Sequence, residues 1–332
     1  MPERENRLNI LASIQPVVEQ ASWVTINPVA VGEVAARLAV EAAPLPEWDG
    51  ELHPVGRDAA ETATLVLVLD ALNFCFWPQP GSELPRWSVT WRGARYDGYL
   101  ALAVALRRAV ESGVPLADAG YLAGLDLDGV RDLLAGDPGA QEIPLIDARL
   151  ANLREVGLAL RDRWEGSFAT AIRAAEGSAM RLIGEVVEAL PSFRDVARYK
   201  GRDVRFYKRA QILIADLHGA LAGDELGWFE DLDRLTAFAD YKVPQILRRF
   251  GILDYHPELA AAIVRYELIP PGDEREVEIR AATIWAVELL RRALAGHGRE
   301  LRAFEIDWLL WHASQSLPPD AEPYHRTLTI YY

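Results

Sequence analysis

The sequence predicts a mainly α-helical protein with a small β-hairpin or sheet beside the helical body. Half of its 332 residues are apolar and a quarter are charged, a balance that supports a large buried core. Most segments space their apolar residues as an α-helix does, whereas two short segments alternate apolar and polar residues as strands do. The length fits a single integrated domain over 1–332, with two tightly packed lobes of about 1–140 and 141–332 as the alternative.

Helical periodicity is clearest in seven segments. These segments are 99–110, 146–164, 179–190, 204–221, 258–268, 275–294 and 303–312. Several ends carry the usual signals, because Asp126 precedes a short amphipathic turn and Pro244 and Pro257 suit a first helical turn. The pattern therefore predicts a chain built from helices of ordinary length.

Two segments predict β-structure instead. Residues 87–91 (WSVTW) alternate large apolar with small polar side chains, and Arg92-Gly93 supplies a turn before a helix that begins near Asp97. The carboxyl-terminal residues 327–332 (TLTIYY) form the second strand candidate. We therefore expect a small sheet beside the helices.

The charge balance limits the partners that the protein can have. Lys and Arg number 35 against 49 Asp and Glu, a formal net charge of −14. Such a chain is poorly suited to bind a polyanion, so we expect no duplex nucleic acid as partner. The longest apolar run, 65–69, ends at Asp70 and is too short for a membrane span, so we expect none. Residues 1–10 lack a signal-peptide pattern. With one cysteine, a reducing cytoplasm fits best.

Familiar catalytic signatures are missing from the sequence. It has no GxxxxGK[ST] loop, no GxGxxG after a strand, no HExxH and no CxxC, and its six histidines show no metal-ligand spacing. We therefore expect chemistry without a cofactor and without a metal ion. Cys75 lies in the apolar string LNFCFW, where a packed thiol is a better interpretation than a nucleophile.

Asp307 lies on a helix face that should be buried. Phe304, Trp308 and Trp311 fall at i, i+4 and i+7, and Asp307 is three residues from the first and four from the last. A buried carboxylate is costly unless it is hydrogen-bonded, paired or used, and its pKa is open to tuning. Asp307 is thus either a salt-bridged or capped structural acid or a catalytic group.

Asp240 lies between two helical patterns in the segment 235–245 (LTAFADYKVPQ). The residue before Pro244 is biased to extended geometry, so this segment should turn and expose Asp240 and Tyr241 beside a helix amino terminus. Such a position can hold a ligand. The carboxylate can equally well cap the helix that follows.

Three further features have two interpretations each. Asp70 and Asp216 lie among apolar neighbours and fit structural polar residues better than catalysts. The run 198–209 holds six basic residues and one acid, with aromatic residues between them. Such a run is either a solvated helix face or a contact for a phosphate or nucleotide.

Five strings in this order resemble the queuosine salvage proteins, the queuosine 5′-phosphate N-glycosylase/hydrolases. The similarity extends from about His53 to the carboxyl terminus. The strings are LNFCFW (72–77), RYKG (198–201), RAQILIADL (209–217), LTAFADYKVPQ (235–245) and EIDWLLW (305–311).

The resemblance implies a helical fold similar to the helix-hairpin-helix DNA glycosylases and hydrolysis of queuosine 5′-monophosphate to queuine and ribose 5-phosphate. It implies Asp307 as the catalytic carboxylate. The remaining site residues that it implies are Phe238, Asp240 and Tyr241 around the base, Lys200 at the phosphate, and His53 and Tyr332 completing the nucleotide site. The Gly-rich hairpin of DNA glycosylases is missing, since Ala239 and Asp240 stand where its glycines are expected.

Two other classes of function remain open at this point. One is a non-catalytic binder of a modified nucleobase or of a partner protein, in which Asp307 is structural. The other is a glycosylase that acts on DNA or tRNA, which the acidic charge and the missing Gly-rich hairpin disfavour.

Overall fold

Helices form the body of the protein in a computed structural model that describes residues 8–78, 81–318 and 321–332. Residues 1–7, which contribute to the expectation of no signal peptide, lie outside these ranges. The α-helices are α1 (Ile10–Glu19), α2 (Pro28–Glu41), α3 (Ala59–Ala71), α4 (Gly98–Glu111), α5 (Ala119–Gly124), α6 (Leu127–Leu133), α7 (Ile146–Arg163), α8 (Phe168–Ala174), α9 (Ala179–Ala189), α10 (Lys208–Ala220), α11 (Lys242–Arg249), α12 (Pro257–Val264), α13 (Glu274–Gly296) and α14 (Ala303–Gln315). The prediction of a mainly α protein is confirmed.

Short antiparallel strand pairs accompany the helices. Within the described ranges the strands are β1 (Val24–Ile26), β2 (Ser88–Trp91), β3 (Ala94–Asp97), β4 (Val196–Tyr199), β5 (Arg202–Arg205) and β6 (Leu253–Tyr255). The pairs are β1 with β6, β2 with β3, and β4 with β5. The hairpin predicted over 87–91 is confirmed, and α4 begins directly after it at Gly98.

The helix predicted over 204–221 begins later than expected. Residues 202–205 form β5, and α10 starts only at Lys208. Lys200 and Gly201 both have positive φ, 46° and 82°, which suits a tight hairpin turn. The basic run is therefore a hairpin followed by a helix start, and the interpretation of it as one solvated helix face is wrong.

The strand predicted over 327–332 is also wrong. The only pairing of this region among the described residues is an isolated bridge between Leu268 and Arg326. The tail nevertheless packs inside the protein, because Tyr332 is buried and its carbonyl accepts a hydrogen bond from the Cys75 amide at 2.9 Å. The alternation of apolar residues does not follow burial either, because Thr327 and Thr329 are buried whereas Leu328 is 45% exposed.

Helix α3 runs through the centre of the protein. Every residue from Thr62 to Ala71 is buried, as expected of a helix that is apolar on all faces. The Asp58 carboxylate accepts a hydrogen bond from the Glu61 amide at 2.8 Å and starts the helix. The far end of α3 carries Asp70, so the helix delivers a carboxyl group into the core. None of the described helices combines the length and the hydropathy that a membrane span needs.

Candidate active site

Asp307 lies on the buried face of α14, as its spacing predicted. Its side chain is 3% exposed, and Oδ1 accepts a hydrogen bond from the Phe238 amide at 2.8 Å. Phe304 and Trp308 pack edge to face beside it, with ring centroids 5.1 Å apart. Oδ2 accepts no hydrogen bond from a described residue. One oxygen of this carboxyl group is therefore fixed by backbone, and the other is left for a further partner.

The electrostatic surroundings of Asp307 oppose its ionisation. Burial raises the pKa of Asp307 well above its ordinary value, and the nearby Asp240 carboxylate raises it further. The Phe238 amide and the Lys208 ammonium lower the pKa again. Whether this group carries charge at neutral pH thus depends on a few identified neighbours.

Asp240 caps α11. Its Oδ1 accepts hydrogen bonds from the amides of Lys242 and Val243, both at 2.8 Å, so the capping interpretation is correct for this oxygen. The side chain is buried, and burial raises its pKa while Lys208 and the two amides lower it. The second oxygen makes no hydrogen bond to a described residue and remains available to a ligand.

Tyr241 and Cys75 belong to a small aromatic cluster next to this cap. The rings of Tyr241 and Tyr324 lie 4.7 Å apart, and Cys75 is buried in the same cluster. Burial raises the pKa of the Cys75 thiol to about 12. The interpretation of Cys75 as a packed thiol is confirmed.

Lys208 is the site residue that the sequence did not single out. It is the first residue of α10 and only 6% exposed. Its charge acts on Asp70, Asp240 and Asp307, while burial lowers its own pKa. The available signal was the basic run 198–209, but spacing alone could not show that Lys208 is buried and Lys200 exposed.

Asp70 and Asp216 form a buried acidic pair next to Lys208. Burial and the charge of Asp216 raise the pKa of Asp70 well above its ordinary value. Burial raises the pKa of Asp216 to about 7. Asp70 accepts a hydrogen bond from Asn73 at 3.4 Å through Oδ1, whereas Oδ2 is buried without a partner among the described residues. This pair therefore favours a protonated state.

His53 connects to the acidic pair through Tyr99. Its Nε2 lies 2.9 Å from the Tyr99 hydroxyl, and its Nδ1 lies 2.7 Å from the Asp49 carbonyl. Burial lowers the pKa of His53, so we assign a neutral ring with the proton on Nδ1. Nε2 then accepts from the Tyr99 hydroxyl. Burial raises the pKa of Tyr99 well above its ordinary value, and the nearby Asp216 and Asp70 carboxylates raise it further. The Tyr99 ring meets the edge of Trp311, which lies one turn from Asp307.

Three helices hold the backbone of residues 236–240, which we call the strap. Gln211 on α10 accepts from the Thr236 amide at 2.8 Å. Asp307 on α14 accepts from the Phe238 amide, and Arg280 on α13 donates to the Ala239 carbonyl at 3.2 Å. Phe238 and Asp240 therefore reach their positions through backbone contacts from α10, α13 and α14.

Lys200 and Tyr332 lie apart from the carboxylates. Lys200 is exposed in the β4–β5 turn, where its ammonium donates to the Gln20 carbonyl at 2.9 Å. The Tyr332 ring packs 4.5 Å from the Arg280 guanidinium, so it reaches the strap through Arg280. The structure thus brings together Asp307, Phe238 and Asp240, with Tyr241 alongside and His53 connected through Tyr99.

The fold and the site define a mainly helical protein with buried aspartates, one buried lysine and aromatic side chains around a single centre. Within the described ranges, no three His, Cys, Asp or Glu side chains are arranged to hold a metal ion. The chain belongs to the queuosine salvage protein family, whose family model matches residues 52–332.

Curated relatives carry one name. A protein of Sphaerobacter thermophilus is 53% identical over 333 residues, covering 100% of both chains. A Mus musculus protein is 40% identical and covers 85% of each chain. A Schizosaccharomyces pombe protein is 35% identical and covers 80% of this chain and 78% of its own. Each is named queuosine 5′-phosphate N-glycosylase/hydrolase.

Proposed function

We propose that this chain hydrolyses the N-glycosidic bond of queuosine 5′-phosphate and releases queuine and ribose 5-phosphate, with Asp307 as the catalytic carboxylate. The names of its relatives support the substrate. The observation that carries the role of Asp307 is its geometry: a buried carboxyl group whose Oδ1 is held by the Phe238 amide at 2.8 Å. This arrangement leaves Oδ2 for the sugar.

The chemistry requires a negative charge beside the sugar. As the bond between C1′ and the base nitrogen breaks, its electron pair leaves with the base, and positive charge develops on the sugar. The Asp307 carboxylate stabilises this charge electrostatically or forms a covalent bond to C1′. Water then supplies the hydroxyl group at C1′. The remaining proton of that water balances the proton that the departing base takes up.

The base would be held by the strap and its neighbours. Queuine carries a secondary amine that is expected to be cationic near neutral pH, so the free oxygen of Asp240 can pair with it. Phe238 would stack on the ring and Tyr241 would line the pocket. His53 would complete the nucleotide site from the side of α4. The roles of Lys200 at the phosphate and of Tyr332 rest on the family resemblance alone.

The test is to incubate the protein with queuosine 5′-phosphate and to follow free queuine by chromatography. The Asp307→Asn variant keeps an acceptor for the Phe238 amide, so we expect it to fold and bind while its turnover falls by about 10²- to 10³-fold or more. Asp128→Asn is the matched control, because Asp128 is exposed at the start of α6.

The outcomes separate this proposal from its alternatives. Wild-type turnover in Asp307→Asn would remove Asp307 from the mechanism. A tight complex of the wild-type protein without product would favour a non-catalytic binder. A cytoplasmic location and the exclusion of duplex nucleic acid stay predictions from composition, and release of base from a tRNA or DNA polymer would contradict the second.

A further inference from the structure

Arg280 on α13 reaches the strap from the interior of the protein. Its side chain is 2% exposed, and its Nε donates to the Ala239 carbonyl at 3.2 Å. Ala239 lies between Phe238 and Asp240, the two residues proposed above to stack on the base and to pair with its amine. The hydrogen bond from Arg280 therefore joins the strap between its two proposed base contacts.

An acid on another segment fixes the direction of this guanidinium. Asp195, which directly precedes β4 and whose side chain is 3% exposed, accepts from Nη1 at 2.9 Å and from Nη2 at 2.5 Å. Such a bidentate pair sets an orientation as well as a distance. The rings of Phe206 and Tyr332 pack against the same group, with centroids 3.9 Å and 4.5 Å from its central carbon. Two bonds and two rings thus keep Nε directed at the strap.

Asp195 extends the same connection to α10. Its Oδ2 also accepts from the main-chain amide of Lys208 at 3.2 Å, and its carbonyl accepts from the amides of the two preceding residues, 206 and 207, at 3.0 Å and 3.2 Å. A continuous hydrogen-bonded path therefore runs from the Ala239 carbonyl through Arg280 and Asp195 to the first residue of α10. The position of the strap relative to α10 depends on this path.

We propose that Arg280 is a positioning residue for recognition of the base, and that its ion pair with Asp195 gives it the direction this task requires. The inference rests on the function proposed above. Arg280 acts through the backbone of the strap, so it sets where Phe238 and Asp240 stand without touching the substrate itself.

Two hydrogen bonds fix the short stretch of backbone between the proposed base contacts. Asp307 accepts from the Phe238 amide at 2.8 Å, and Arg280 donates to the Ala239 carbonyl one residue later. A carbonyl shares one planar peptide unit with the amide that follows it, so the second bond also orients the amide of Asp240. Without Arg280 the first bond remains, but the spacing of the Phe238 and Asp240 side chains is no longer fixed.

The test variant is Arg280→Lys. Lysine keeps a positive charge beside Asp195, but its single ammonium cannot reproduce both the bidentate pair and the bond to Ala239. Glu278→Gln is the matched control, because Glu278 is a fully buried charged residue of the same helix. Its carboxylate accepts from the amides of residues 22–24 and from the Tyr199 hydroxyl, so its loss disturbs α13 on the side of another segment.

The first measurement is the affinity of each variant for the two products, by titration calorimetry. Arg280→Lys should bind queuine about 10-fold more weakly, as expected when a hydrogen bond from a charged group is lost, while its affinity for ribose 5-phosphate stays within about 2-fold. Glu278→Gln should keep both affinities. Equal losses for both products, or an unchanged affinity for queuine in Arg280→Lys, overturns the proposal, since a merely structural role predicts one or the other.

The second measurement needs no ligand and so distinguishes failure of this inference from failure of the proposed function. Hydrogen exchange of the Phe238 amide, relative to the amides of α3, should be about 10-fold faster in Arg280→Lys and unchanged in Glu278→Gln. Unchanged exchange at Phe238 in Arg280→Lys refutes the inference even if the protein cleaves no substrate. Faster exchange there, in a protein whose wild type neither binds queuine nor cleaves the nucleotide, refutes the proposed function and leaves Arg280 as the residue that holds the strap.

A second variant covers the case in which Arg280→Lys does not fold. Asp195→Asn weakens the same ion pair from its other side and leaves Arg280 in place. Because Asp195 is connected to the strap through Arg280, we expect the same loss of queuine affinity and the same faster exchange at Phe238. Wild-type values for both in Asp195→Asn would show that the ion pair does not direct Arg280.

Discussion

Replacing Asp216 with Asn should stabilise the protein at neutral and alkaline pH. Burial raises the pKa of Asp216 from 3.8 to about 7, so between these values the native protein holds a proton that the unfolded chain has released. The free energy of unfolding therefore falls as pH rises through this window. About three pH units at about 1.4 kcal/mol each give a destabilisation of about 4 kcal/mol above pH 7. Asn has the same shape and cannot ionise, so Asp216→Asn should remove this cost.

The contacts around Asp216 support the substitution. The Tyr99 hydroxyl is near Asp216, and the side-chain amide of Asn can serve it as a donor or as an acceptor. The repulsion of Asp70 by Asp216 also disappears, so the pKa of Asp70 should fall and its own cost at neutral pH should shrink. Both effects raise the stability of the variant above that of the wild type.

The assay is urea unfolding followed by circular dichroism at pH 4, 6 and 8. The difference between Asp216→Asn and the wild type should be small at pH 4 and should grow toward about 4 kcal/mol at pH 8. Asp203→Asn is the control, because the Asp203 side chain is 60% exposed and should leave the pH dependence unchanged. A variant that is less stable than the wild type at pH 8, or a difference that does not grow with pH, would refute the reasoning.

Two further substitutions test single contacts. Lys200→Ala should lower kcat/KM for queuosine 5′-phosphate and spare the unphosphorylated nucleoside if Lys200 meets the phosphate. Rates on both substrates decide this, and equal losses would remove Lys200 from that role. Arg280→Met leaves Asp195 buried without its ion-pair partner and should lower the free energy of unfolding by about 3–5 kcal/mol. Chemical denaturation measures this change, and a loss below about 1 kcal/mol would contradict the importance of the pair.

Local patterns predicted the parts of the site that depend on one element. The spacing of Asp307 on α14 correctly placed it on a buried aromatic face, because side chains three and four residues apart share a helix surface. The segment around Asp240 was correctly expected to lie beside a helix start, where Asp240 caps α11 through amides two and three residues away. Two details were wrong, because α11 begins at Lys242 and makes Val243 helical before Pro244, and because Asp240 is buried and not exposed. In both cases the deciding interactions are close in sequence.

Predictions that depended on contacts between residues remote in sequence were less accurate. The alternation in 327–332 predicted a strand, but a strand forms only where another edge pairs with it, and Tyr332 packs on Arg280 instead. The basic run was interpreted without its hairpin turn at Lys200 and Gly201. Spacing could not indicate the surroundings of Lys208, because they come from segments remote in sequence. Its neighbour Arg209, for example, donates a hydrogen bond to the Ala71 carbonyl, 138 residues away.

The sequence by itself determined the helical class, the first hairpin, the acidic charge and the burial of Asp307, since each follows from composition or from contacts within a few residues. Only the tertiary structure decided that the ends of α3, α10, α14 and the strap meet, because that meeting depends on packing between remote segments. A buried carboxyl group loses its proton with difficulty, and the two groups that lower the pKa of Asp307, the Phe238 amide and Lys208, both come from other segments of the chain.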